Sequence, residues 1–169
     1  MKRVTNSDEF MRAYDQYKDA IFRHCYFRIS DRERACDLVQ DTFVRAWQYV
    51  IHGREIDNPK AFLYQIADNL IIDEYRKKKS VSLDMLVDEG FEPGKSEHEF
   101  HRTQFDVKRV IDTLSNLSEK DREVIVMRYI DELSPKEIAN ILHETENVVS
   151  VRIHRAIKKV HEILKKQGI

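Results

Sequence analysis

Asn147, Ser150, Val151, His154, Arg155 and Lys158 recur at spacings of three and four, so in a helix they share one face. That face combines an amide, a hydroxyl, an apolar tip and cations. An amide can pair bidentately with adenine, a guanidinium with guanine, and an exposed valine can cover a thymine methyl, all in a major groove wide enough for an α-helix. Val149, Ile153, Ala156, Ile157, Val160 and Leu164 recur on the opposite side and mark the face turned to a core. Arg152 and Lys159 lie at the flank, where phosphate contacts would hold the helix without reading sequence. A solvated basic helix has the same composition. Three features weigh against it: a short capped helix precedes this one, its first turn is polar, and Val151 spends apolar surface unless something covers it.

The elements around this face follow from local signals. Ser134-Pro135-Lys136-Glu137 is a Ser-x-x-Glu capping box with proline in the first turn, and it opens a helix reaching Leu142. The chain then turns at His143-Glu144, a joint where a left-handed residue is expected, and restarts from Thr145, whose hydroxyl can cap the basic helix. The spacing is that of a helix-turn-helix. Ser118-Glu119-Lys120-Asp121 opens another helix upstream, with Asp in place of Glu in the box. Near the N-terminus, Ser7-Asp8-Glu9 reads as a cap, Asp31 starts a second helix that ends near Gly53, and Asn58-Pro59 starts a third that runs into the cluster Arg76-Lys77-Lys78-Lys79. No stretch alternates with period two long enough for a strand. The expected fold is all-α: two small helical domains, residues 1–79 and 106–169, joined by a flexible acidic linker at 80–105, with the helix-turn-helix in the C-terminal one. Ser80–His101 carries six acids against one lysine.

Two further faces have a chemistry. Phe62, Gln65, Asn69, Ile72 and Arg76 lie on one side of the third helix, away from Leu63, Ile66, Ala67, Leu70 and Ile71. An aromatic, amides and a basic end suit a single strand, whose bases stack on π faces while charge holds the backbone. Phe62 reads equally as core and the amides as solvent-facing. On the second helix Asp37, Gln40 and Asp41 form a polar patch beside Ala35, Leu38, Val39, Thr42, Phe43, Ala46 and Trp47.

DLVQDTFVRAW, NPKAFLYQIADNLIIDEYRKKK and LSEKDREVIVMRYIDELSPKEIANIL followed by RIHRAIKKV closely resemble, in the same order, the ECF (extracytoplasmic-function) group of bacterial RNA polymerase sigma factors. The resemblance covers nearly all of the chain outside the linker. It implies that the surface carrying Asp37, Gln40, Asp41 and Phe43 binds core RNA polymerase. It implies that Asn58, Phe62, Gln65, Asn69, Arg76 and Lys77 capture and open the minus-10 promoter element. The helix from Thr145, with Asn147, Ser150, Val151, Arg152, His154, Arg155 and Lys158, would read the minus-35 element, and an anti-sigma factor is an expected partner. Two departures from the family pattern touch the DNA-reading module: His143 stands where Gly is common, and Asn147, Val148, Ser150 and Val151 replace a frequent Gly-Thr-Val-Lys-Ser run, which leaves the preferred promoter letters open.

A helix-turn-helix regulator binding an operator as a dimer is the alternative, but the Asp37 patch has no part in it. An enzyme would need a phosphate loop, a nucleophile with its base or an HExxH pair, and none is written here. No cofactor and no metal are expected; His98, Glu97 and His101 are too few for a credible zinc site. Cys25 and Cys36 form no CxxC pair and read as buried free thiols. No run approaches the roughly 20 apolar residues of a membrane span, and no apolar leader follows Met1, so a cytoplasmic location is expected. The net charge is only −1 because basic clusters and the acidic tether cancel.

Overall fold

Short polar residues decide where each helix begins. The structure, a computed structural model, describes the backbone of residues 3–84 and 101–166 and the side chains of 3–77 and 107–166. Helix α1 spans Ser7–Ile29. Its cap is Asn6, one residue before the expected Ser7: the Asn6 side chain accepts from the Glu9 amide at 3.0 Å, and Glu9 reaches back to the Thr5 amide at 2.8 Å. Helix α2, Arg32–Ile51, is capped by Asp31, and α3, Pro59–Asp84, by Asn58, whose Oδ1 accepts from the Ala61 amide at 3.1 Å. Gly53 adopts φ +75° to turn the chain between them. Val4 and Ile56 then exchange backbone hydrogen bonds of 3.0 Å, fastening the N-terminal segment to that turn.

Helices α1, α2 and α3 pack around Ile21, Cys25, Leu38, Ala46, Ala67 and Ile71, each buried. Burying a side chain the size of Ile21, Leu38 or Ile71 stabilises by about 1.5–3 kcal/mol, so a handful of that size is what holds a three-helix unit together. An aromatic cluster closes one end: Phe43 meets Phe10 edge-on at 6.4 Å and Tyr14 at 4.7 Å, and Trp47 lies 5.1 Å from Phe10. Cys25 is buried, and burial pushes its thiol up to about 12. Cys36 corrects the expectation for both thiols: it is exposed, because it sits one position off the Ala35 and Leu38 stripe.

The second group comprises α4 (His101–Ser115), α5 (Glu119–Ile125), α6 (Pro135–Leu142) and α7 (Glu146–Lys166). Between α5 and α6 the chain loosens into a π-turn, Val126–Ile130, in which the Asp131 amide donates to the Val126 carbonyl five residues back at 3.0 Å. Leu133, Ile138, Val149, Ile153 and Ala156 form the core against α5 and Leu114. Helix α3 continues to Asp84 and α4 starts at His101, so the expected tether at 80–105 overlaps both helix ends; residues 85–100, with Glu97 and His98, lie outside the described residues.

The two groups touch. Arg28, at the end of α1, is fully buried and donates to Asp68 on α3 at 2.8 Å and, across the divide, to Glu123 on α5 at 3.5 Å. His24 pairs with Asp131 at 2.8 Å, both fully buried. Arg122 donates to the Arg28 carbonyl at 3.0 Å and to the Leu114 carbonyl at 2.8 Å, and the Tyr75 hydroxyl also reaches the Arg28 carbonyl. At the far edge Lys60 donates to Glu137 at 2.8 Å.

This last pair carries a pH dependence. The Lys60 hydrogen bond, with the Ser134 amide and hydroxyl, holds the Glu137 carboxyl down from 4.5 to about 2. A depressed carboxylate stabilises the fold fully above its unfolded value and loses that contribution as pH falls through its folded one. Thermal unfolding should therefore soften between pH 4.5 and 2, and Glu137→Gln should flatten that part of the profile; an unchanged slope in the variant would assign the acid sensitivity elsewhere.

Candidate nucleic-acid interface

The joint before α7 has the expected backbone. Ser134 and Glu137 form both halves of the capping box, and His143 ends α6 in the left-handed region at φ 54° and ψ 36°, a conformation that His tolerates better than β-branched residues do. Thr145 Oγ1 then accepts from the Val148 amide at 3.3 Å. Because Val149, Ile153 and Ala156 are pinned to the core, Asn147, Ser150, Val151, His154, Arg155 and Lys158 are all turned to solvent, and Thr145 is exposed at the start of the same face. Val151 is 41% exposed and Val148, which the core stripe leaves out, 45%. Two bare valines beside an amide and an arginine form a surface that gains by contact with base edges and methyls.

Arg152 behaves differently from its neighbours. Its guanidinium donates to Glu144 at 2.8 Å, to Glu123 at 2.7 Å and to the Lys120 carbonyl at 3.1 Å, so it ties the turn and α7 to α5. Burial opposes its charge, but the Glu123 and Glu144 bonds prevail and its pKa is raised. Here Arg152 is an internal strut. Lys159 likewise pairs with Asp121 at 2.5 Å.

On α3, Asn69, Arg76 and Lys77 are exposed, while Phe62, Gln65 and Ile72 are half-buried. Phe62 rests against Tyr49 at 4.9 Å between ring centres, and Gln65 donates to the Asn140 carbonyl of α6 at 3.3 Å. A recess of about 260 Å³ lined by Gln65, Asn69, Ile72, Leu142 and His143 separates this face from the helix-turn-helix. Asn58, at the head of the helix, is exposed and spends its side chain on the cap.

On α2, Asp37, Gln40 and Asp41 are exposed, and Arg34 pairs with Asp37 at 3.1 Å. Phe43 is a correction: it points into the aromatic cluster and is 5% exposed, because position 43 lies on the Ala46 side of the helix. The apolar residue that the patch does present is Val44, 52% exposed, at i+3 from Asp41 and i+7 from Asp37. Sequence periodicity contained that signal, since Val44 falls in phase with the polar residues and out of phase with the core.

These three faces lie within the residues that two domain families match. The family described as Sigma-70 region 2 matches residues 13–81, and Sigma-70, region 4 matches residues 108–160. The ECF RNA polymerase sigma factor SigW of Bacillus subtilis is 32% identical over 184 residues, covering 99% of this chain and 94% of its own. The chain belongs to the ECF RNA polymerase sigma factors. SigL of Mycobacterium tuberculosis, another ECF sigma factor, is 30% identical over 161 residues, with 94% and 91% covered. The sigma factor RpoE of Bartonella quintana, solved with the anti-sigma factor NepR, superimposes with a TM-score of 0.74 at 23% identity over 94% of this chain and 98% of that one, which supports the same helical fold. Membership makes this chain a promoter-directing subunit of RNA polymerase and decides against the operator-binding regulator. Among the described residues no helix is long and apolar enough to cross a membrane, and no group of three His, Cys, Asp or Glu side chains is placed to hold a metal.

Proposed function

We propose that this sigma factor divides its work among the three faces. The α2 patch of Asp37, Gln40 and Asp41, completed by Val44, docks on core polymerase. The α3 face, from Asn58 through Phe62, Gln65 and Asn69 to Arg76 and Lys77, takes the minus-10 strand. The outward face of α7 reads the minus-35 duplex through Asn147, Ser150, Val151, His154, Arg155 and Lys158, with Thr145 at its entry and Arg152 holding the helix in register. The observation that carries this reading is α7 itself: a capped helix-turn-helix whose second helix leaves amide, guanidinium and bare valine on one solvent face. The functional units are 1–79 and 106–169, and the acidic segment between them spans the distance between promoter elements. The chain works in the cytoplasm, contributes specificity without catalysis, and leaves RNA synthesis to core. An anti-sigma protein is the third class of partner, one that would compete for the same faces.

Each unit offers a small surface, so free chain binds promoter DNA weakly, and core converts two weak contacts into one strong one. Transcription reconstituted from core polymerase and this protein on a pool of random promoters tests the assignment. Starts sharing a two-element motif are expected; core binding without specific starts would refute the DNA-reading assignment. Asp41→Lys should weaken core binding several-fold, mainly through slower association as expected of a rim charge, and equal affinity would move the docking surface off α2.

A further inference from the structure

The first two turns of α7 carry apolar tips that the fold does not use. Val148 and Val151 are 45% and 41% exposed, although the core stripe of the same helix already takes Val149, Ile153 and Ala156. One exposed valine is ordinary, but valine is also a modest helix former, and here two stand one turn apart at i and i+3. A long basic side chain often lies over such surface. Arg152, at i+4 from Val148, is instead drawn to Glu144 and Glu123 at 2.8 and 2.7 Å, which commits it to the turn and to α5. Valine in a helix holds essentially one χ1 rotamer, so each tip is a fixed pair of methyls that loses little freedom when something covers it.

What covers them follows from their company and their spacing. Val148, Val151 and Arg155 form a row at i, i+3 and i+7, beside exposed Asn147, His154 and Lys158, and these amides and cations select an anionic, hydrogen-bonding partner. On the major-groove edge of duplex DNA the apolar group is the C5 methyl of thymine. The two valines are about 4.5 Å apart along the helix axis, against about 3.4 Å between base pairs, so they reach neighbouring pairs; Arg155, about 6 Å further on, reaches beyond them. We infer that Val148 is a further specificity-determining residue, and that Val148 and Val151 each cover a thymine C5 methyl, on two neighbouring base pairs ahead of the pair that Arg155 reads. This rests on the assignment of α7 to the minus-35 element and adds two letters to it. Recognition of this kind works by fit and desolvation, so it asks for the methyl and nothing else of the base.

The test uses holoenzyme, core polymerase with the full chain, on the promoter that emerges from the random pool. Each thymine of its minus-35 element, on either strand, is replaced in turn by uracil, which removes one methyl and keeps every hydrogen-bonding group. Two neighbouring positions should each lose about two- to fourfold in affinity, the worth of one buried methyl. Val148→Ala should abolish the loss at one of them and Val151→Ala at the other, because uracil takes nothing more from a protein whose apolar tip is already gone. Alanine is the better helix former, so circular dichroism should show both variants as helical as the parent. A selected element without two neighbouring A·T pairs, uracil without effect at every position, or losses that persist undiminished in both variants would overturn the inference. The two failures separate cleanly: specific starts from a minus-35 element indifferent to uracil reject methyl reading alone, whereas starts that survive scrambling of that element reject the assignment of α7 itself.

Discussion

Arg28→Ala should lower the thermal midpoint of the free protein by on the order of 10 °C. The guanidinium is 1% exposed and lies 2.8 Å from Asp68 and 3.5 Å from Glu123. Burial works against its charge, but the two carboxylates outweigh burial and raise its pKa, so it stays a cation. Deleting it leaves Asp68 without its buried cation and Glu123 with Arg152 alone. Breaking a buried ion pair by removing one partner costs about 3–5 kcal/mol, and each kcal/mol is worth roughly 2–4 °C in a chain of this size. Arg28→Met together with Asp68→Leu should recover much of the loss, because it removes the stranded charge and keeps the volume. A midpoint that does not move in Arg28→Ala, read by circular dichroism, would mean that the site is wetter than the structure shows.

The second large effect concerns DNA letters. Arg155→Ala should cut discrimination at one position of the minus-35 element by about 1–3 kcal/mol while affinity for scrambled duplex changes little. Arg155 stands free on the outer face of α7, two turns from Asn147, where its fork can reach a guanine edge. Arg152 cannot be exchanged for it in this argument: held by Glu123 and Glu144, its loss should loosen the joint and weaken binding to every sequence alike. Competition among single-base variants with the holoenzyme distinguishes the two. A uniform loss in Arg155→Ala would make it a phosphate contact.

What could be read from the sequence was local. Asp31, Asn58-Pro59, Thr145 and the Ser134–Glu137 box satisfy amides within three residues of themselves, so the chemistry that starts each helix is written beside it. The outward face of α7 followed from the core stripe by geometry alone. Phe43 was placed on the docking surface by the family resemblance alone, whereas its own phase, shared with Val39, Ala46 and Val50, puts it on the core stripe where it is buried. The partners of Arg28 and His24 were out of reach for another reason. An arginine in the last turn of a helix ordinarily faces water and complements the helix dipole; here, Glu123 and Asp131 lie 95 and 107 residues downstream and only tertiary structure brings them near.

The π-turn at Val126–Ile130 sets a phase. A helix advances about 100° per residue, so the extra residue in that turn rotates everything after it by about that angle relative to α5. Asp131 meets His24, and α6 presents Glu137 to Lys60, only with that rotation included. Shortening the turn by one residue would leave every side chain of the helix-turn-helix in place and aim the whole unit in a different direction, so the length of this segment, more than its composition, carries its information.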